Sequence, residues 1–207
     1  MPANHTQYNH NVMVDLLQTT DFLSAAECAG IVAELCVSGG GAATVHGKET
    51  GHDKATGTVE PLVRKATRVV VSPELRGRVT RQLLERKGAI AEHFGIALSD
   101  CEEPQFLRYK PGDYFVAHQD GNTPLIFDQS RLRRISVVIF LSPHSMEPAP
   151  GTYGGGALVF HVPSSNPALR LPLAPAAGTL IAFRAETTHE VTPVTHGERY
   201  TIVSWYR

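Results

Sequence analysis

Two amphipathic stretches precede a long series of short apolar runs. In DFLSAAECAGIVAELCVSGGG, Cys28, Ile31 and Leu35 recur at three- and four-residue spacing, which predicts a helix. Ser24 followed by Glu27 is a capping-box pattern at its start. The run Gly39-Gly40-Gly41 marks its expected end. A second helix is predicted from Pro73, a residue suited to a first helical turn, through Phe94, despite Gly77 and Gly88. VMVDLLQ ahead of the first helix and ATRVVVS between the two read as short strands. Beyond the second helix the pattern changes. EPQFLRYK, YFVAHQ, RISVVIFLS, GALVFHV, GTLIAF, HEVTPV and RYTIVSWYR are β-rich runs separated by Pro, Gly, Asn and Asp. Helices first and strands after predict an α+β fold built around a β-sandwich or jelly-roll barrel.

The remaining segments are polar. Met1 to Asn11 reads as a frayed tail. Residues 39–60 lack any period and read as a long mobile loop, either a binding lid or plain disorder. The triple glycine is no phosphate loop, because no GxxxxGK[ST] pattern follows it. A length of 207 residues suits one domain, with residues 12–100 as a support region and 101–207 as the strand-rich core. Apolar content of 42% and charged content of 19% exclude global disorder. A formal net charge of −1 excludes the strong positive field of a general nucleic-acid binder. No apolar run approaches the roughly 18 residues of a membrane-spanning helix, and the N-terminus lacks a signal-peptide pattern. Cys28, Cys36 and Cys101 form no CxxC pair, so buried thiols in a reducing, cytoplasmic compartment are expected.

The candidate chemistry begins at FVAHQDGN. On a strand, residues two apart share a face, so His118 and Asp120 can converge on one point. Imidazole nitrogen with carboxylate oxygen suits a first-row divalent metal, but two ligands hold an ion weakly. His189 is the third candidate, 71 residues on, with His46, His52, His93, His144, His161 and His196 as rivals. Two histidines and one carboxylate on one face would leave about three of six octahedral positions open, the arrangement of non-haem Fe(II) oxygenases. HEVTP is not the HExxH of a zinc peptidase, since Pro193 occupies the second histidine's place. A cupin-type metal site would want HxH and a glutamate shortly after, which GNTPLIFDQ does not supply. Arg199, ten residues after His189, alternates with apolar residues on a predicted strand. A buried guanidinium is costly without an anion, and its planar fork matches a carboxylate.

HxD, a distant histidine and an arginine ten residues further on resemble the Fe(II)/2-oxoglutarate-dependent dioxygenases, and among them the prolyl 4-hydroxylase-like group. The resemblance covers roughly Cys101 to Arg207. It implies a double-stranded β-helix core at 101–207 with the N-terminal helices packed on one sheet. It implies His118, Asp120 and His189 as iron ligands, with no catalytic side chain beyond the metal centre. It implies Arg199 as partner of the distal carboxylate of 2-oxoglutarate and Tyr109 as a wall of that pocket. Ser136 aligns with a small hydroxyl residue beside the cosubstrate; Leu158, Val191 and Trp205 align with pocket walls. One departure stands out: IFLS carries Phe140 where many relatives have a tyrosine whose hydroxyl reaches the cosubstrate. Arg199 with Ser136 or Thr201 is then expected to hold the carboxylate.

The cofactors so implied are Fe(2+), 2-oxoglutarate and O2, with ascorbate as an accessory reductant. The implied reaction hydroxylates an unactivated C–H bond, first of all in a prolyl residue of a peptide or protein. The alternatives are a free amino acid or other small-molecule substrate, or an iron/2-oxoglutarate sensor without turnover. No nucleic acid and no membrane is expected as partner. Residues 39–60, 121–133 and 143–154 are expected around the entrance, where Lys48, Arg131 and Arg133 would meet an acidic substrate or face solvent.

Overall fold

The computed structural model describes residues 14–43, 45–48, 56–58, 60–121, 129–162 and 169–207. The expected tail at Met1 to Asn11 lies outside the described residues. So do the start of VMVDLLQ, residues 44, 49–55 and 59 of the expected lid, the Lys48 side chain, and residues 122–128 of the expected entrance.

Helix α1 spans Ala25–Val37 and α2 spans Pro73–Phe94. The Ser24–Glu27 capping box is formed in both directions: Glu27 N–H donates to Ser24 Oγ (3.2 Å) and Ser24 N–H donates to a Glu27 carboxylate oxygen (2.8 Å). The end of α1 departs from expectation. Ser38 turns the backbone extended while its N–H and Oγ both donate to Glu34 O, so the helix stops before the glycines. Gly40 instead enters a strand, where a side chain would lie 2.6 Å from the Arg68 carbonyl. Helix α2 starts on Ser72, whose Oγ accepts from Leu75 N–H, and ends on Gly95 with φ 63°.

The strands in chain order are β1 (Leu16–Thr19), β2 (Gly40–Ala42), β3 (Val45–Lys48), β4 (Thr56–Thr58), β5 (Arg64–Lys65), β6 (Thr67–Val69), β7 (Gln105–Tyr109) and β8 (Tyr114–His118). They continue with β9 (Ile135–Phe140), β10 (Tyr153–Gly155), β11 (Leu158–His161), β12 (Arg170–Leu173), β13 (Leu180–Arg184), β14 (His189–Val191), β15 (Val194–Gly197) and β16 (Arg199–Tyr206). The segment 39–60 therefore contributes β2 and the antiparallel β3–β4 pair and is not wholly a loop.

Two antiparallel sheets carry the fold. One has the order β1-β13-β9-β16-β7-β6-β2, the other β12-β11-β14-β8-β5. Alternation gives the larger sheet two apolar faces. Ile135, Val137 and Ile139 of β9 and Ile202 and Tyr206 of β16 face out, against Ile31 and Leu35 of α1 and Val79 and Leu83 of α2. Each large apolar side chain buried there contributes roughly 1.5–3 kcal/mol, and without the helices one whole apolar face of the sheet would meet water. The helical cover is thus essential to the sheet. The alternate residues face in: Val138, Phe140, Ile181 and Phe183 pack against Leu158 and Phe160 of the smaller sheet. Leu107 and Tyr109 meet Val191 and Val194 in a second inner cluster. All three cysteines are unpaired, but only Cys28 is buried; Cys36 is exposed and Cys101 half-buried, contrary to the expectation of buried thiols.

Candidate metal centre and anion seat

β8 and β14 are antiparallel neighbours, and their register sets His118 directly opposite His189. The two rings lie 4.2 Å apart between centroids. Asp120 follows β8 in a turn pinned to the end of β13, where Asp120 N–H and Gly121 N–H both donate to Ala185 O (2.9 and 3.1 Å). Gly121 permits this approach, since a Cβ there would lie 2.8 Å from Arg133 O. Asp120 Oδ1 is 3.5 Å from His118 Nε2, and Oδ2 is 3.6 Å from His189 Nε2. The three ligand atoms lie within 4.8 Å of one another.

Each imidazole is oriented by its own strand. Nδ1 of His118 donates to Val116 O (2.8 Å) and Nδ1 of His189 to Thr187 O (2.9 Å). A carbonyl only accepts, so both protons sit on Nδ1 and both Nε2 lone pairs face Asp120. Burial pushes the His189 pKa down to about 4, with the neighbouring His118 acting in the same direction. Burial alone would raise the Asp120 carboxyl, but His189, His118 and the Ser136 hydroxyl outweigh it and hold it well below the usual carboxylate range. A neutral imidazole and an ionised carboxylate are the forms that bind metal. Bonds of about 2.1 Å to a divalent ion put neighbouring ligand atoms roughly 3 Å apart, so modest side-chain rotation would close this site. The donor set fits a facial Fe(II) centre. Among the rivals, His93 pairs with Asp15, His161 with Glu190, His144 packs on Tyr153, and His196 covers Gly154. The side chains of His46 and His52 lie outside the described residues.

Arg199 opens β16 on the inner face of the larger sheet, opposite Tyr109 of β7. It is 1% exposed. Its guanidinium lies 5.1 Å from the Tyr109 ring and 5.2 Å from the Phe140 ring, and Nη1 reaches Thr201 Oγ1 at 3.4 Å. Nε and Nη2 have no partner among the described residues. A buried cation with two idle donors, and no carboxylate paired with it among the described residues, can seat an anion.

The other anticipated pocket residues distribute as follows. Tyr109 and Thr201 lie against Arg199. Ser136 Oγ donates to Asp120 Oδ2 (2.7 Å), so it orients the carboxylate of the metal site. Leu158 and Val191 are paired across β11 and β14 but belong to different inner clusters. Trp205 lies under the Arg133 guanidinium, 3.6 Å from the ring centroid, and Arg133 is held by both carboxylate oxygens of Glu102 (2.9 and 2.8 Å). Of the basic residues expected at the entrance, Arg133 is therefore tied down. Sequence reasoning missed Tyr153, a fully buried residue next to Arg199. The available signal was an aromatic residue directly ahead of Gly154-Gly155-Gly156.

A family model described as the 2OG-Fe(II) oxygenase superfamily matches residues 104–207, which include His118, Asp120, His189 and Arg199. The chain belongs to the 2OG-Fe(II) oxygenase superfamily. Its cofactor is accordingly Fe(2+), and its cosubstrates are 2-oxoglutarate and O2. This oxygenase is 33% identical over 168 residues to a PKHD-type hydroxylase of Paracoccus denitrificans, covering 80% of the chain and 67% of that relative. It spans less than half the length of several further PKHD-type hydroxylases. In fold it is similar to a prolyl-4-hydroxylase from Pseudomonas putida, with a TM-score of 0.68, 22% identity and coverage of 94% of this chain and 92% of the other. A Trichoplax adhaerens prolyl hydroxylase, in complex with a peptide fragment of hypoxia inducible factor, gives a TM-score of 0.65 at 15% identity, over 93% and 83% of the two chains.

Proposed function

We propose that this oxygenase couples oxidative decarboxylation of 2-oxoglutarate to hydroxylation of an unactivated C–H bond, in a prolyl residue of a peptide or protein. The observation that carries the reading is a three-ligand cluster of His118, Asp120 and His189 in the same interior that holds Arg199, a buried guanidinium with idle donors. In this reading the three side chains hold Fe(2+), which when bound supplies the activation of O2 that no side chain can provide. Arg199 takes the distal carboxylate through its Nε–Nη2 edge, and Thr201 adds a hydroxyl. Tyr109 and Phe140 flank the guanidinium and exclude water, which strengthens the ion pair. Leu158, Val191 and Trp205 serve as apolar walls. Ser136 and the two backbone carbonyls fix the ligand atoms, so the chain contributes positioning and shielding and no nucleophile.

Residues 101–207 form the catalytic core in this reading, as a double-stranded β-helix, and 12–100 form its support, adding strands β1, β2, β5 and β6 at the margins of the two facing sheets. The prolyl hydroxylases among the similar structures, one of them holding a peptide, support the peptide substrate. Three free thiols, and no helix long and apolar enough to cross a membrane among the described residues, support a cytosolic setting.

The test loads the purified chain anaerobically with Fe(2+) and 2-oxoglutarate, then admits air with a panel of prolyl peptides, free proline and other amino acids. The expected result is succinate release stimulated by a prolyl peptide, with a product heavier by one oxygen atom. Product from the free amino acids alone moves the assignment to a small-molecule hydroxylase; binding without succinate for any panel member makes the protein a sensor. Asp120→Ala should abolish coupled turnover. Arg199→Ala should raise the 2-oxoglutarate requirement at least tenfold, as expected for loss of a charge-assisted contact. Full coupled activity in the Asp120 variant would overturn the metal assignment.

A further inference from the structure

The anion seat contains a second polar group that Arg199 does not explain. Tyr153 is 0% exposed, and its hydroxyl has no partner among the described residues. The ring is held from several sides. Tyr153 N–H donates to Pro143 O (3.1 Å) and Tyr153 O accepts from Ser145 N–H (2.9 Å), while the His144 ring meets it edge-on at 5.3 Å. Gly156, at φ 58°, lets the tyrosine and the arginine meet. A methyl group there would lie 2.9 Å from Arg199 Cδ and 3.3 Å from Tyr153 Cε2, the ring carbon next to the hydroxyl-bearing one. The phenol oxygen therefore stands beside the guanidinium, which can only donate to it, so the phenol O–H is left without an acceptor among the described residues.

Burying an O–H without an acceptor costs free energy, and so does burying a guanidinium without an anion. Both costs vanish when a carboxylate enters. Its two oxygens offer about four lone-pair positions, enough for the guanidinium fork and a phenolic O–H together. Burial raises the Tyr153 pKa more than the nearby guanidinium lowers it, so the phenol stays protonated and donates. Of the other candidate hydroxyls, Ser136 donates to Asp120, while Thr201 Oγ1 lies at Arg199 Nη1, away from the Nε–Nη2 edge. Phe140, 5.2 Å from the guanidinium, has no hydroxyl to give.

We infer that Tyr153 donates a hydrogen bond to the distal carboxylate of 2-oxoglutarate, supplying from β10 the phenol that Phe140 withholds on β9. This rests on the proposed 2-oxoglutarate site and assigns it a further binding residue. It also makes the seat selective for a diacid, since a ketoacid without the second carboxylate leaves both the phenol and the guanidinium unpaired.

The test is calorimetric titration of 2-oxoglutarate into Mn(2+)-loaded protein, which reads binding without turnover. Tyr153→Phe keeps the ring and its packing. It should weaken 2-oxoglutarate about ten- to a hundredfold, the scale of a lost hydrogen bond to a charged group, and leave Mn(2+) affinity unchanged. Phe140→Tyr in the Tyr153→Phe background should recover part of the loss. Unaltered 2-oxoglutarate affinity in Tyr153→Phe, while Arg199→Ala loses it, overturns this inference and spares the proposed function. An equal fall in Mn(2+) affinity would show a structural role and also overturn it. Absence of 2-oxoglutarate binding by the unaltered protein overturns the proposed function, and this inference with it.

Discussion

Ser136 holds the Asp120 carboxylate by a hydrogen bond. Its hydroxyl occupies Oδ2, which leaves Oδ1 the less engaged oxygen and fixes the plane of the carboxylate. Ser136→Ala should therefore lower metal affinity about tenfold, within the usual range for groups that orient a metal ligand. An anaerobic Fe(2+) or Mn(2+) titration checks this, and the unfolding midpoint should move little. The two-residue spacing made the proximity of His118 and Asp120 legible, but not by the strand alternation expected: β8 ends at His118, and the turn after it brings Asp120 back. The partner of Ser136 was not legible, because it depends on a turn after β8 folding back onto β13 through Ala185. Tyr153 was hidden for a similar reason. Its strand is three residues long, too short for alternation to register, and its role comes from a glycine that brings Arg199 to it.

At the scale of elements, Gly156 separates β10 from β11 and sets the distance between the Tyr153 and Arg199 side chains. Gly156→Ala forces a Cβ into a left-handed backbone and against Arg199 Cδ and Val194 Cγ2, at 2.9 and 3.0 Å. The expected cost is about 1–2 kcal/mol of stability from the backbone alone, read as a lower urea midpoint. Weaker 2-oxoglutarate binding with retained Mn(2+) affinity should accompany it. Most of the long strands were visible in the sequence as runs bounded by turn residues, and both helices by their caps. The glycines at 39–41 misled because the same residue serves two purposes. A glycine run usually stops a helix through positive φ; here Ser38 had already stopped it, and Gly40 is needed for contact with Arg68. Strands β2, β5 and β10 have two or three residues each, and pairing with strands far along the chain rather than local pattern defines them.

Over the whole molecule, the helical layer is joined to the larger sheet by buried tyrosines. Tyr206 Oη donates to Leu83 O (2.6 Å), tying β16 to α2, and Tyr200 Oη contacts the Glu198 carboxylate and Cys36. Burial raises both phenol pKa values above the ordinary 10, and for Tyr200 the contacts with Cys36 and Glu198 add to it. A raised folded-state value means the phenols stabilise the fold fully below pH 10 and lose that contribution as pH climbs past it. The melting temperature should thus fall steeply above pH 10, and Tyr206→Phe should reduce the drop while costing about 1 kcal/mol at neutral pH. Thermal unfolding across pH measures both. The geometry has one more consequence. His118 and His189 ride on the smaller sheet, whereas Arg199, Thr201 and Tyr109 ride on the larger one. The two sheets act as the jaws of a caliper, and the layer of Val138, Phe140, Leu158, Phe160, Ile181 and Phe183 between them is its spacer. The thickness of that oily layer, rather than any single polar contact, gauges how long a molecule can be and still touch both jaws at once.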